Sequence, residues 1–282
     1  KFDYEELKDV FDLCLSCKAC ASECPSNVDV AALKAEFLYQ YQKDNKPSFR
    51  TKLFAENVKY NQLGSVAPFL TNIILNNGLV KKTIGIATER SIPKLYKTTL
   101  RKWYKRNFKR LHNQQFKNGS VYLFCDEFTN YYDVKIRSAI SKGFLDKAKI
   151  VIDKNIAVFK DLISEKTPLI GIEPSAILGF RDEYLRLAND KISAAKISKH
   201  TFTFEEFIKN EFEKGKISAS NFSTKSKEIK IHVHCHQKSL STSEATFTML
   251  NIPINYKPII LNTGCCGMAG SFGYEKEHYK IS

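Results

Sequence analysis

Residues 14–25 read Cys14-Leu-Ser-Cys17-Lys-Ala-Cys20-Ala-Ser-Glu-Cys24-Pro25. Cysteines at C-x₂-C-x₂-C-x₃-C, with a proline after the last, are spaced as thiolate ligands of a [4Fe–4S] cluster. Three thiolates two residues apart wrap three corners of one cubane from a single tight loop. The small residues Ser16, Ala19, Ala21 and Ser22 let backbone N–H groups approach the sulfurs. The fourth cysteine, before Pro25, characteristically serves a second cluster. The competing reading, a zinc site, is weaker, because structural zinc favours two separated cysteine pairs.

A second constellation lies downstream. Four apolar runs, 121–125, 168–172, 229–233 and 258–261, each end in a chemically capable group. These are Cys125, then Glu173-Pro174-Ser175, then His232, His234, Cys235 and His236, and finally Gly264-Cys265-Cys266-Gly267-Met268-Ala269-Gly270. Ligands of open parallel sheets sit beyond the carboxyl ends of the strands. That rule would bring Cys125, Cys235, Cys265 and Cys266 to one edge, with the helix after Glu173 pointing its N-terminus at them. Glycines around Cys265-Cys266 permit positive φ, so both thiols can turn to one side. Two small buried residues in a tight turn is the plainer alternative. Of the histidines, His232 and His234 fit the polar face of a strand, which leaves His236 as the one ligand candidate.

These sites need elements to position them. A short acidic helix, 4–13, leads into the first loop, and Asn27 or Asp29 can cap a helix over 30–43 whose apolar face is Ala32, Leu33, Ala35, Phe37, Leu38 and Tyr41. Helices are expected over 47–62 and 64–77, with Gly78 as a C-cap. Residues 91–111 hold eight Lys/Arg and no acid, interleaved with Trp103, Tyr104 and Phe108, which predicts a basic amphipathic helix. After a polar linker at 112–120, apolar runs alternate with helical patterns at 143–163, 174–188 and 240–250, which implies a mainly parallel sheet. Residues 190–228 are rich in Lys, Ser and Phe and hold one further helix, 203–214. The expected fold is α+β in two parts: an N-terminal all-α segment and an α/β domain. The expected divisions are 1–45, a basic helical region 46–118, and 119–282.

Composition bounds the function. The net charge of +14 is concentrated in residues 31–120, which carry 18 Lys+Arg against 4 Asp+Glu. A uniformly basic nucleic-acid binder would not look like this, so no nucleic-acid partner is expected. No run of eighteen apolar residues spans a membrane. Eight cysteines gathered in two sites, without a secreted disulfide ladder, point to a reducing compartment. The expected location is cytoplasmic, or peripheral to the inner face of the membrane through the basic stretch.

The cysteine patterns resemble the "CCG" domains of iron–sulfur oxidoreductases. That family includes the heterodisulfide reductase B subunit and the iron–sulfur subunits of anaerobic glycerol-3-phosphate dehydrogenase and of glycolate and lactate oxidases. The pattern Cys235-x₂₉-Cys265-Cys266-Gly267 is similar to one half of its tandem motif. With Cys14–Pro25, the stretches 137–144, 171–175, 234–238 and 264–270 look closest to the C-terminal part of FAD-linked 2-hydroxyacid dehydrogenases. The resemblance implies a ferredoxin-like helical segment, a CCG domain, [4Fe–4S] clusters on Cys14, Cys17, Cys20, Cys24, Cys235, Cys265 and Cys266, with Cys125 beside them, and FAD in an upstream domain. Electrons from a lactate- or glycolate-like 2-hydroxyacid would pass to an acceptor. The partners implied are a flavin domain of the same or another chain and either an electron acceptor or an anionic membrane surface. The alternative function is a heterodisulfide-reductase-like module acting on a thiol or disulfide at the Cys-Cys-Gly site. The family pattern has two ferredoxin motifs and this chain has one, so the fourth ligand of the Cys14–Cys20 cluster is expected from outside the chain. The family also has more residues before Arg137, which predicts an interruption between Ile136 and Arg137.

Overall fold

The computed structural model describes residues 4–112, 119–126, 130, 135–268 and 270–282, with the backbone alone at 112 and 135–137. The chain forms two compact units: Lys1–Gln114, Cys125–Val151 and Cys265–Ser282 make the first, and Gln115–Phe124 and Ile152–Gly264 the second. Most of the linker expected at 112–120 lies outside the described residues.

The first unit is helical. Its helices are α1 (Glu5–Asp12), α2 (Ala19–Glu23), α3 (Val30–Asp44), α4 (Phe49–Ala55), α5 (Asn57–Gly64), α6 (Pro68–Asn76), α7 (Gly78–Ile84), α8 (Leu100–His112) and α9 (Lys135–Ser141). Asp29 caps α3 as expected, its carboxylate accepting from Ala32 N at 2.9 Å. Ala31, Ala35 and Phe37 of α3 are buried, and Phe37 meets Phe11 of α1 at a centroid distance of 5.3 Å. The single helix expected over 47–62 is two helices. The backbone leaves helical geometry at Glu56 (φ −110°, ψ 20°), whose carboxylate is paired with Lys147. Asn77, not Gly78, separates α6 from α7, and its side chain caps the second of them.

Helix α6 is built inside out. Its polar residues face inward: Asn72 exchanges two hydrogen bonds with the Leu95 backbone, at 3.0 and 2.9 Å, and Asn76 two with Ile92, at 3.3 and 2.9 Å. Phe69, Leu70, Ile73 and Ile74 are each more than half exposed. Those asparagines hold residues 92–95 as an extended strap, so the basic helix starts only at Leu100 rather than at 91. Pro93 within the strap also disfavours helix. No helix among the described residues is long and apolar enough to cross a membrane.

Helix α9 runs through Ile136 and Arg137 without a break, so the interruption expected there is absent. Gly143, just beyond it at φ +79°, lies against the α3 backbone, where an added Cβ would sit 2.7 Å from Leu38 Cβ and 2.8 Å from Leu38 C and Tyr39 N.

Helix α10 (Leu145–Phe159) leads into the second unit, which holds two parallel sheets rather than the one expected. The strands of the first sheet are β1 (Tyr122–Leu123), β2 (Leu169–Gly171) and β3 (Thr201–Thr203), in spatial order 1-2-3. Between β2 and β3 come α11 (Pro174–Ile177), a 3₁₀ turn at Leu178–Arg181, α12 (Glu183–Leu187) and α13 (Lys191–Lys199). After β3 follow α14 (Phe204–Glu213), β4 (Lys227–Ile231), α15 (Cys235–Leu240), α16 (Ser243–Asn251) and β5 (Tyr256–Ile260), with β4 paired to β5. Strand β3 and helix α13 fall in residues 190–228, where only the helix over 203–214 is expected from the sequence.

A physical reason for the second sheet lies at the outer edge of β3. Arg181 donates to Thr201 O at 3.0 and 2.6 Å, and Thr203 N donates to Glu206 at 2.9 Å. Arg181 and Glu206 also pair with each other at 2.8 and 2.7 Å. The groups that a fourth strand would need are therefore taken. Ile152, Ile163, Leu169, Ile177, Leu178 and Ile197 fill the core beside stacked Phe180 and Tyr184. Each such burial contributes roughly 1.5–3 kcal/mol.

Replacing Gly143 with alanine should destabilise the protein by about 1–3 kcal/mol or more, because a left-handed backbone and a backbone clash add together. A urea midpoint equal to wild type would contradict the close approach of 143 to α3.

Candidate metal centre

The Cys14–Pro25 loop is shaped by amides turned onto sulfur. Ser16 N donates to Cys14 Sγ at 3.4 Å. The backbone amide of Ala19 favours the thiolate of Cys17, and those of Val28, Ser26 and Asn27 that of Cys24. The described non-glycine residues with positive φ are Ser16 (55°), Lys18 (65°) and Asn27 (51°), all in this loop or at its exit. Left-handed residues bend successive N–H groups into a concave nest that suits an anion. Lys18 is buried and its ammonium meets Asp29 at 3.1 Å, which ties the loop to the cap of α3.

The electrostatics separate the cysteines. Burial pushes the Cys17 thiol up, and the nearby Cys265, Cys14 and Cys20 thiols add to this while the Ala19 amide opposes it. The amides of Val28, Ser26 and Asn27 hold the Cys24 thiol below its ordinary value. Cys14, Cys17 and Cys20 share one short loop, and Cys265 belongs to the same unit. None of the eight cysteines is in a disulfide. Among the described residues no three cysteine sulfurs lie within 4.8 Å of one another. A tetrahedral zinc site would bring them to about 3.8 Å, whereas thiolates on one cubane stand roughly 6–7 Å apart. The donor set, with its amide-lined loop, fits an iron–sulfur cluster.

The second constellation is divided. Cys125, Cys265 and Cys266 belong to the first unit and Cys235 to the second, and the strands before them lie in two sheets. Cys235 opens α15, capped by His234, whose ring accepts from His236 N at 3.2 Å. The other His234 nitrogen stands 3.6 Å from Glu173. The helix after Glu173 does not offer its N-terminus to a ligand. It is four residues long, and the Glu173 carboxylate itself accepts from Ala176 N at 2.8 Å. His236 is buried against the His234 ring. His232 meets the Thr263 hydroxyl at 2.6 Å and Lys238 donates to Thr263 O at 2.9 Å, so the chain leading to Gly264 is pinned to the segment that carries Cys235. In the final loop Gly267 has φ +72° and Gly264 does not need positive φ; Ala269 lies outside the described residues.

Sequence reasoning missed a buried polar network beside the first loop. Lys34 donates to Cys14 O at 2.8 Å. Burial, with the Lys142 ammonium, lowers its pKa against the pull of Cys14, Asp12 and Glu275. Glu275 pairs with Lys142 at 2.5 Å and Arg50 at 3.9 Å, and accepts from Ser271 at 2.8 Å. His278 lies between Glu275, at 3.4 Å, and Asp12, at 3.6 Å. Asp12, Glu275 and His278 are close enough to share an ion, but Lys142 and Arg50 already supply the positive charge. The one available signal was a lysine on the apolar face of α3.

Glu275 is buried, which raises its pKa, yet Lys142, Ser271 and Arg50 outweigh burial and hold it below the ordinary value. A depressed carboxylate contributes stability above its unfolded pKa and loses it as pH falls through the folded one. Glu275→Gln should cost about 3 kcal/mol at pH 7, because two cations lose their partner. The gap to wild type should shrink in acid, below the ordinary carboxylate range, where the wild-type carboxylate protonates. Chemical denaturation at both pH values measures it, and a gap independent of pH would contradict the pairing.

Comparison with known proteins bears on these sites. Over 98% of its residues the chain is 24% identical to D-2-hydroxyglutarate dehydrogenase of Haemophilus influenzae, and over its whole length 25% identical to the same enzyme of Escherichia coli K12. It spans 30% of the length of each. Over 92% of the chain it is 25% identical to one of the subunits of the anaerobic glycerol-3-phosphate dehydrogenase of Escherichia coli K12, and it covers 71% of that polypeptide. The first two alignments run over 324 and 318 residues against a chain of 282, so those relatives carry segments that this chain lacks. No family model matches the chain, and no solved structure does. The similarities are to dehydrogenases of two kinds, which bears out the resemblance read from the motifs of the chain.

Proposed function

We propose that the chain is the iron–sulfur electron-transfer region of a flavin-linked 2-hydroxyacid dehydrogenase. The observation that carries this reading is the Cys14–Cys20 loop, whose amides and left-handed residues are turned onto its sulfurs. A bound [4Fe–4S] cluster supplies one-electron transfer. The chain's own residues do the rest. Cys14, Cys17 and Cys20 hold iron, and the Ser16 and Ala19 amides stabilise their thiolates. Lys34 and Lys18 anchor the loop from inside. Cys235, Cys265 and Cys266, with Cys125 beside them, remain the proposed residues of a CCG-type site, Cys24 the proposed ligand of a second ferredoxin-type cluster, and residues 1–45, 46–118 and 119–282 the proposed functional divisions.

Similarity to enzymes named D-2-hydroxyglutarate dehydrogenase supports that acid, or a lactate- or glycolate-like analogue, as the electron source. Its oxidation to the 2-oxoacid releases two electrons and two protons, which an FAD on a partner domain would take up, and this chain would then carry the electrons one at a time. Cytoplasmic residence, with the acceptor or an anionic membrane surface meeting the basic stretch, belongs to the same reading.

Anaerobic incubation of the chain with iron and sulfide should load about four irons per occupied site. Dithionite should then produce the EPR signal of a reduced cubane. Failure to bind iron would overturn the proposal. In the complete enzyme D-2-hydroxyglutarate should bleach the cluster absorption, and bleaching by lactate alone would reassign the substrate.

A further inference from the structure

Two helices of the first unit turn apolar side chains outward. On α6 and the turn before it, Val66, Phe69, Leu70, Ile73 and Ile74 recur at helical spacing, and each is between 54% and 80% exposed. Asn72 and Asn76 face the other way and grip the strap, so this apolar side is held in place rather than free to turn inward. On α8, Arg101, Lys102, Lys105, Arg106, Lys109 and Arg110 take one side and Trp103, Tyr104 and Phe108 the other. The core does not close over that aromatic side either, since Trp103, Tyr104 and Phe108 are all exposed. The strap joins the two helices. It buries Leu95 and exposes Lys94, Tyr96 and Lys97.

Charge decides what such a surface meets. Between Glu56 and Asp126 the sequence holds one acid, Glu89. A second copy of the chain would bring the same cations to the contact. The cores of protein interfaces are depleted in lysine, whereas lysine and arginine at a lipid surface lay their stems on apolar groups and keep their charge at the headgroups. An anionic bilayer takes every part of the set. Leucine, isoleucine and phenylalanine enter the acyl boundary, tryptophan and tyrosine sit at headgroup level, and the cations meet the phosphates.

We propose that α6 inserts its apolar side into the surface of an anionic lipid bilayer, and that the strap and α8 hold it there through their cations. Of the partners named above for the basic stretch this selects the lipid, and it gives the insertion to a helix that carries no charge. The surface contains no cysteine, so the inference goes beyond the iron–sulfur reading and stands without it.

The test uses phosphatidylcholine vesicles with and without phosphatidylglycerol. It reads co-sedimentation and the emission of Trp103, the single tryptophan of the chain. This chain and the complete enzyme are both measured, before and after iron loading. Phosphatidylglycerol vesicles should bind the protein and shift Trp103 emission to the blue, less so as salt rises, whether or not iron is bound. Phe69→Ser combined with Ile73→Ser should weaken binding about tenfold or more, with unchanged far-ultraviolet circular dichroism because both side chains are already exposed. Phe69→Leu combined with Ile73→Leu should bind as wild type. Lys94→Gln and Lys97→Gln should each weaken binding about fivefold. Equal binding to vesicles without phosphatidylglycerol, or binding indifferent to the serine pair, would overturn the proposal. Binding by this chain but not by the complete enzyme would also overturn it and give the α6 side to another part of the polypeptide. Polyglutamate bound as tightly as the vesicles would give the surface to an acidic protein instead. A chain that takes up no iron yet binds vesicles as described would sink the iron–sulfur reading and leave this one standing.

Discussion

Backbone amides bent onto sulfur are the constraint on which the first unit depends. A thiolate in a partly buried loop needs N–H donors, and these reach it only where the chain turns left-handed. Ser16 and Lys18 each accept roughly 1–2 kcal/mol of backbone strain to make that turn. A hydrogen bond to a charged acceptor returns roughly 1.5–3 kcal/mol. The loop is therefore strained without its charge and relaxed with it. Its supports follow from that. Asp29 both caps α3 and receives Lys18, so the start of the helix and the position of the loop are one interaction.

Charge inside the first unit is arranged as alternation. Lys34, Lys142 and Arg50 are interleaved with Asp12, Glu275 and Glu277, and His278 lies between two of the carboxylates. Buried Glu275 meets Lys142, Arg50 and His278, which is what makes its charge tolerable. The network draws on residues from positions 12 to 278, and so it closes the N-terminal and C-terminal parts of the unit on each other. Cys14 and Cys265 stand at the two ends of that closure.

What the sequence disclosed was local. The Cys14–Cys24 spacing, the Asp29 cap and the helix after it depend on neighbours within a turn or two, and they appear where expected. The strands at 122–123, 169–171, 227–231 and 256–260 were legible as apolar runs. Strand β3 was not, because Thr201-Phe-Thr203 has no apolar run and is held by Arg181, twenty residues upstream. The division into two sheets follows from that same arginine and from Glu206. The late start of α8 depends on Asn72 and Asn76 gripping a strap some twenty residues away. The junction at 136–137 was misjudged because a family pattern was taken for a structural requirement, whereas the short α9 accommodates it. At the candidate site the spacing named the ligand types, while the hold of Lys34 on Cys14 O and the pairing of Lys142 with Glu275 are tertiary facts that no local pattern encodes.

The inverted helix α6 bears on how the chain behaves in solution. Its outward side is apolar, and no charged residue occurs between Lys59 and Lys81 to interrupt it. Copies of the chain repel one another through a net charge of +14, but that repulsion reaches only about 8 Å at physiological ionic strength. Added salt shortens it further and leaves apolar burial in place. Colloidal stability is thus electrostatic rather than intrinsic to the surface, and dilute buffer should keep dispersed what concentrated sulfate drives together.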